Sequence, residues 1–71
     1  MEQITAEFKL DGKTGSAILD EMDAWALAQF FKRLTFSAAR EHAVDSDEAH
    51  RIIRAIEQLR SALAGIGYAP R

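Results

Sequence analysis

The chain has 71 residues, of which 48% are hydrophobic and 28% charged, with no cysteine and a formal net charge of −2. This length allows one small domain, residues 1–71, of globular rather than disordered composition. The absence of cysteine excludes disulfides and thiolate metal sites. The negative net charge argues against binding of nucleic acid through the overall charge of the protein.

The N-terminal segment has the pattern of a hairpin. Apolar and polar residues alternate over Gln3–Leu10, which predicts a half-buried strand. Asp11-Gly12 follows, a dipeptide typical of hairpin turns. A second, shorter strand is expected over 16–19. The sequence therefore predicts an α+β fold: a two-stranded antiparallel hairpin followed by two main helices, with a short helical turn between them.

The first helix is predicted over 21–35. Asp20 and the acids after it suit a helix N-terminus, where they meet unpaired N–H groups. The helix is apolar over most of its circumference, so it must be covered on more than one side. One side is formed by four large apolar residues: Leu27, Phe30, Phe31 and Leu34.

Trp25 falls off that stripe, and two interpretations of it stay open. In the first interpretation, Trp25 packs under the hairpin or the C-terminal tail, because a small domain uses its large aromatic residues in its own core. Alternatively, it belongs to a partly exposed patch that binds a partner or a second copy, since tryptophan is enriched at interface hot spots. The residues of this Trp25 patch are Met22, Trp25, Gln29 and Lys32.

The connection and the second helix follow. Ser37 is expected to cap a short turn through Ala43. Asp45, with Glu48 three residues later, has capping-box spacing and predicts a helix over 46–64. Its termination is attributed to Gly65, Gly67 and Pro70. One stripe of this helix is predicted to be core: Ala49, Ile52, Ile56, Leu59 and Leu63.

The opposite face of the second helix carries Arg51, Arg54, Gln58 and Ser61. Arg51, Arg54 and Arg60 are the candidate contacts to nucleic acid, although Asp47 is placed to pair with Arg51 at i,i+4. Four acids surround the connection before this helix: Glu41, Asp45, Asp47 and Glu48. We interpret this acidic connection mostly as helix capping, and alternatively as a contact for a basic partner groove.

Motifs that indicate catalysis or metal binding are absent from the sequence. No Gly-x-Ser-x-Gly occurs, and the spacing of His42 and His50 matches no metal-ligand pattern. We therefore expect no enzyme, no metal and no cofactor. No apolar run is long enough to cross a bilayer and no signal-peptide pattern is present, so a cytoplasmic location without membrane attachment is expected.

Residues 20 to 71 resemble a family of short uncharacterised proteobacterial proteins carried by phages, prophages and integrative mobile elements. The resemblance rests on Ala24-Trp25-Ala26-Leu27-Ala28-Gln29-Phe30-Phe31-Lys32-Arg33, Phe36-Ser37, Arg40, Ala43-Val44-Asp45, Asp47-Glu48-Ala49, Ala62-Leu63-Ala64 and Gly67-Tyr68-Ala69-Pro70-Arg71. It implies a biological context rather than a mechanism, because the family has no assigned activity. Small acidic proteins of such elements often inhibit host defence, as anti-CRISPR proteins do.

Three functional hypotheses follow from the sequence. The first is a non-enzymatic protein-binding module of a mobile element or phage, an anti-CRISPR-like inhibitor that occupies a surface of a host defence complex. The alternative is a small dimeric nucleic-acid-associated regulator. The third is a homodimer formed through the first helix.

Overall fold

The computed structural model describes residues 2–69. Within this range the fold is α+β, as predicted, with a two-stranded antiparallel hairpin followed by helices. The elements are β1 (Gln3–Leu10), β2 (Lys13–Asp20), α1 (Glu21–Arg33), α2 (Phe36–Glu41) and α3 (Ser46–Gly65).

A two-residue turn closes the hairpin. Asp11 and Gly12 both have positive φ, 48° and 78°, as a type I′ turn requires. Pairing continues without interruption from Leu10 opposite Lys13 to Gln3 opposite Asp20. The prediction of a second strand over 16–19 was therefore too short: the turn uses only two residues, so the ladder begins at once.

The two faces of the hairpin differ in polarity, because residues paired across the ladder share a face. The apolar face carries Ile4, Ala6, Phe8 and Leu10 of β1 together with Ala17 and Leu19 of β2. Ile4, Ala6 and Leu19 are half-buried at the end next to α1, whereas Phe8 and Leu10 near the turn are exposed. The hairpin is adjacent to α1 but not to α3.

Local caps fix the start and end of α1. The Asp20 Oδ1 accepts from the Asp23 N–H at 2.8 Å, and the Asp23 carboxylate accepts from the Asp20 N–H at 3.3 Å. The helix ends at Arg33 and not at residue 35, because Thr35 takes an extended backbone and caps α2 through its hydroxyl, 3.2 Å from the Ala38 N–H. The predicted cap at Ser37 was wrong, since Ser37 lies inside α2.

The predicted boundaries of the last helix are confirmed to within one residue. Asp45 caps α3 by accepting from the Glu48 N–H at 2.8 Å, and the Glu48 carboxylate accepts from the Val44 N–H at 3.3 Å. At the other end Gly67, with φ 103°, ends the helix. Pro70 lies outside the described residues.

Small side chains form the tightly packed part of the core. Ala24 and Ala28 of α1, Ala39 of α2 and Ala49 of α3 are all buried, and Phe31 joins them. Ile52, Ile56 and Leu63 of the predicted α3 stripe are half-buried. Leu59 is exposed, as are Leu27 and Phe30 of the predicted α1 stripe. Among residues 2–69, no large side chain is fully buried.

The molecule is flat and open. Its extents are 37 × 36 × 17 Å, and its radius of gyration is 13.5 Å, against about 11 Å for a compact chain of this length. It exposes 5634 Å² of surface, whereas a folded monomer of this size exposes about 4,400 Å². Roughly 1,200 Å² that a compact monomer would bury is thus left open.

Candidate functional site

An open apolar groove runs between the hairpin and the helices. Its volume is about 410 Å³. The hairpin contributes mostly β1 residues, and the opposite wall comes from α1 and the C-terminal part of α3. Its lining residues include Ile4, Ala6, Phe8, Leu27, Leu59 and Ile66. The groove exists because the hairpin packs on α1 alone and leaves α3 uncovered on that side.

The groove carries little reactive chemistry. Among residues 2–69, Thr5 is the one polar residue that lines it, and no ionisable side chain does. An apolar groove of this kind binds apolar side chains or exposed hydrophobic surface.

The edge of β1 lies beside this groove. Thr5 points to the opposite face of β1 from Ile4 and Ala6, and it also lines the groove. Leu10 and Lys13 close the turn as a hydrogen-bonded pair, and the bonding then alternates along the ladder. The backbone groups of Thr5, Glu7 and Lys9 therefore point away from β2 along the open edge.

Trp25 is held by the C-terminal tail. Its ring meets that of Tyr68 edge-on, with centroids 5.1 Å apart and an interplanar angle of 61°. Tyr68 reaches this place because Gly67 turns the chain back at the end of α3. The Tyr68 N–H donates to the Leu63 carbonyl at 2.9 Å, the bond of a Schellman motif.

Both sequence interpretations of Trp25 describe part of this geometry. Its ring packs against the tail, yet 37% of the residue is exposed. Met22, one turn earlier, is 70% exposed, whereas Gln29 on the same side is half-buried. Lys32, one turn beyond Gln29, is exposed. The Trp25 patch is thus a surface with a fixed aromatic at its centre.

Tyr68 is buried beneath this patch. Its burial raises the pKa of the phenol above its ordinary value, and the negative charges of Glu21 and Glu2 raise it further. Each of these causes favours the neutral hydroxyl. The phenol therefore stays protonated at neutral pH, and the aromatic pair carries no charge.

Two of the four acids of the acidic connection make hydrogen bonds that cap α3. Asp45 and Glu48 are engaged in capping α3, while Glu41 and Asp47 are exposed. The predicted ion pair between Asp47 and Arg51 does not form. Glu41 and Asp47 are therefore the two of these acids that take no part in the side-chain cap of α3.

The structure does not bring the Trp25 patch and the acidic connection together. Tyr68 follows the C-terminal end of α3, and Asp45 precedes its N-terminal end. A 20-residue helix is about 30 Å long. The two surfaces are thus separate contacts, and a single partner touching both would have to reach along the whole of α3.

The histidines do not converge on a metal site. His50 packs against Phe36, with ring centroids 4.6 Å apart. His42 is the C-cap of α2. Within residues 2–69, no group of three candidate ligands lies close enough to hold a metal ion.

The three candidate arginines do not form one stripe. Arg51 and Arg54 are exposed on the outer side of α3. At about 100° per residue, Arg60 lies on a different side of the helix, about 120° from Arg54. Its guanidinium pairs with the Glu57 carboxylate at 3.4 Å. Of these three arginines, Arg51 and Arg54 are therefore neighbours, and Arg60 lies apart from them.

Comparison with known proteins places the chain in a family. A family model for a family of unknown function, DUF7706, matches residues 1–71. The chain belongs to this family. The match includes the hairpin, which lies outside the resemblance at residues 20 to 71. No curated protein and no solved structure matches the chain.

Several surface residues could not be identified from the sequence alone. The sequence pattern predicts Leu59 as core and Phe8 as part of a half-buried strand, and it gives no role to the groove residue Ile66 or to Tyr68. Gly67 was the available signal for Tyr68, because a helix-ending glycine folds the next residue back onto the helix.

No helix among the described residues is both long and apolar enough to cross a membrane.

Proposed function

We propose that this chain is a non-enzymatic protein-binding module that recognises its partner through the Trp25 patch. The observation that carries this proposal is the position of Trp25: it is fixed against Tyr68 and still 37% exposed. A rigid, partly exposed tryptophan loses little conformational entropy on binding and buries a large area. Met22 extends the same surface and is 70% exposed.

Glu41 and Asp47 of the acidic connection are the second contact in this proposal. Their charges favour a partner with a basic surface, and such charges speed association and select partners more than they add affinity. Because these acids lie at the far end of α3 from Tyr68, we assign them a separate role from that of Trp25.

We further propose that the partner is a host defence complex and that the protein comes from a phage or mobile element. The support is the resemblance of the α1 motif to proteins of such elements. The net charge of −2 also suits a protein that competes with nucleic acid for a basic groove. In this role the chain acts in the cytoplasm as an anti-CRISPR-like inhibitor.

Two matched variants test the binding surface. Met22→Glu and Ile18→Glu each place a carboxylate at an exposed apolar residue, 70% and 66% exposed respectively, and Ile18 lies on β2, outside both proposed contacts. Tagged wild type and Ile18→Glu should restore phage plating on a host with an active defence system and should capture one of its subunits. Met22→Glu should lose both effects while its circular dichroism remains that of wild type.

The opposite pattern would reject the proposal. If Met22→Glu protects phage as well as wild type does, the Trp25 patch is not the binding surface. A gel shift at low salt that depends on Arg51 and Arg54 would instead support the nucleic-acid-associated regulator, since phosphate contacts are strongest there.

A further inference from the structure

The apolar face of the hairpin is left without a cover. Phe8 is 60% exposed and Leu10 71% exposed, although both belong to the face that is half-buried near α1. An isolated two-stranded hairpin is marginal in water, and stability comes from more strands or from packing on a helix. Here only the end of the hairpin next to α1 has such packing.

The edge of β1 is also open. Its outward backbone groups, at Thr5, Glu7 and Lys9, have no strand beside them in the described chain. An eight-residue strand with alternating apolar side chains and a free edge is a template for pairing with another strand. A groove that accepts apolar side chains lies directly alongside.

We propose that a second copy of this chain pairs with the edge of β1. The two hairpins then form a four-stranded antiparallel sheet in the order β2-β1-β1-β2, and each hairpin covers the apolar groove of the other copy. This interface lies on a different surface from the Trp25 patch and does not depend on the proposed function. It also places the dimer contact on the hairpin instead of on the first helix.

Charge complementarity selects the register of this pairing. In a twofold antiparallel pair centred on Phe8, Glu7 of each copy lies opposite Lys9 of the other. Centring the pair on Glu7 or on Lys9 would place like charges opposite each other, which is unfavourable. The Phe8 register also joins the outward backbone groups of Glu7 and Lys9, as the antiparallel pattern requires.

The same register brings the exposed apolar residues to the grooves. Leu10 of one copy lies opposite Ala6 of the other, and Ala6 lines the groove. The end of each hairpin beyond its own helices therefore lies over the helices of the second copy. The twofold axis passes beside the two Phe8 rings, whose cross-strand neighbour within each chain is Gly15 and leaves them room.

The open surface is large enough for this interface. The monomer exposes 5634 Å², roughly 1,200 Å² more than a compact chain of its mass. An interface of standard size buries about 800 Å² of each partner. The unburied area thus exceeds what a stable dimer needs.

A charge swap tests the register. Sedimentation equilibrium should show the full-length wild type at twice the chain mass. Lys9→Glu and Glu7→Lys each create like-charged pairs across the twofold axis and should weaken dimerisation about tenfold. The double variant Glu7→Lys/Lys9→Glu restores opposite charges and should return the dissociation constant to that of wild type. A monomeric wild type, or single variants that dimerise normally, would overturn the proposal.

A disulfide crosslink tests the pairing of two copies at β1 even if the charge variants fail to fold. The chain has no cysteine, so Phe8→Cys introduces a single thiol per copy. In the proposed register the two Cα atoms at residue 8 are about 4.5 Å apart, within disulfide range. Mild oxidation should give a covalent dimer of this variant but not of the control Ser16→Cys on the outer strand. Absence of the Phe8→Cys crosslink would exclude pairing at β1.

Discussion

The helices and the hairpin differ in how much of their apolar surface is packed against other elements. Alanines at positions 24, 28, 39 and 49 let the helices approach closely and bury their backbones, and Asp20, Thr35 and Asp45 cap their ends. The hairpin is equally well defined locally, with a complete ladder and a type I′ turn, yet its apolar face is open. Local order and tertiary cover are therefore separate properties: the hairpin is ordered along its whole length but is covered only at the end next to α1.

The largest difference between the two regions should appear at two phenylalanines. Phe31 is buried among the helices, whereas Phe8 is 60% exposed. Phe31→Ala should lower the free energy of unfolding by about 3 kcal/mol, since it leaves a cavity. Phe8→Ala should lower it by less than about 0.5 kcal/mol at low protein concentration, where the chain is monomeric. Urea unfolding measures both, and equal losses would show that the hairpin face is covered within the monomer.

The cap of α3 gives the next effect. Asp45→Ala removes the acceptor for the Glu48 N–H and should cost about 1 kcal/mol. Asp47→Ala, which removes a carboxylate from the first turn without breaking a cap, is the matched control and should cost less than about 0.5 kcal/mol. If thermal unfolding shows equal shifts for both variants, the acids act through net charge and not through capping.

A smaller loss is expected in the hairpin turn. Gly12 has φ 78°, so Gly12→Ala should cost about 1 kcal/mol through left-handed strain. Gly15 is free of positive φ, and a Cβ there meets nothing within 4 Å; Gly15→Ala should therefore leave stability unchanged or raise it. Chemical denaturation of the two variants compares them, and a reversed order would contradict the turn geometry.

The smallest effect concerns pH and Tyr68. Burial raises the pKa of its phenol in the folded chain, with Glu21 and Glu2 adding to the shift. The folded state favours the neutral phenol, so Tyr68 adds to the free energy of unfolding. This stabilisation is complete below the unfolded pKa of about 10 and is lost as pH rises through the folded pKa. Tyr68→Phe keeps the aromatic contact with Trp25 and should show a shallower fall in stability from pH 9 to 11. An identical fall in both proteins would contradict this assignment.

The parts of the fold that were predictable are those set by local chemistry. Alternation over Gln3–Leu10, the Asp11-Gly12 turn and the Asp45 cap each act within a few residues, and all three are confirmed. Thr35 and Ser37 both have hydroxyls that can cap a helix, so sequence could not choose between them. The choice made in the structure shortened α1 and placed Ser37 inside α2.

The groove and the aromatic contact depended on tertiary geometry. Leu59 shares a stripe with Ile52 and Ile56, and only the placement of the hairpin away from α3 leaves it exposed. Helical periodicity identifies the side of a helix but not whether another element covers it. For the same reason Trp25 had two interpretations, and the contact with Tyr68 became evident only once the tail was placed.

Amide hydrogen exchange shows whether a second copy completes the open face of the hairpin. In the proposed dimer, the outward N–H groups of Glu7 and Lys9 are hydrogen-bonded, while those of Thr14 and Ser16 on the other edge remain free. Raising the protein concentration should slow exchange at Glu7 and Lys9 and leave Thr14 and Ser16 fast. Fast exchange at all four amides, at every concentration, would show that no second strand pairs with the edge of β1.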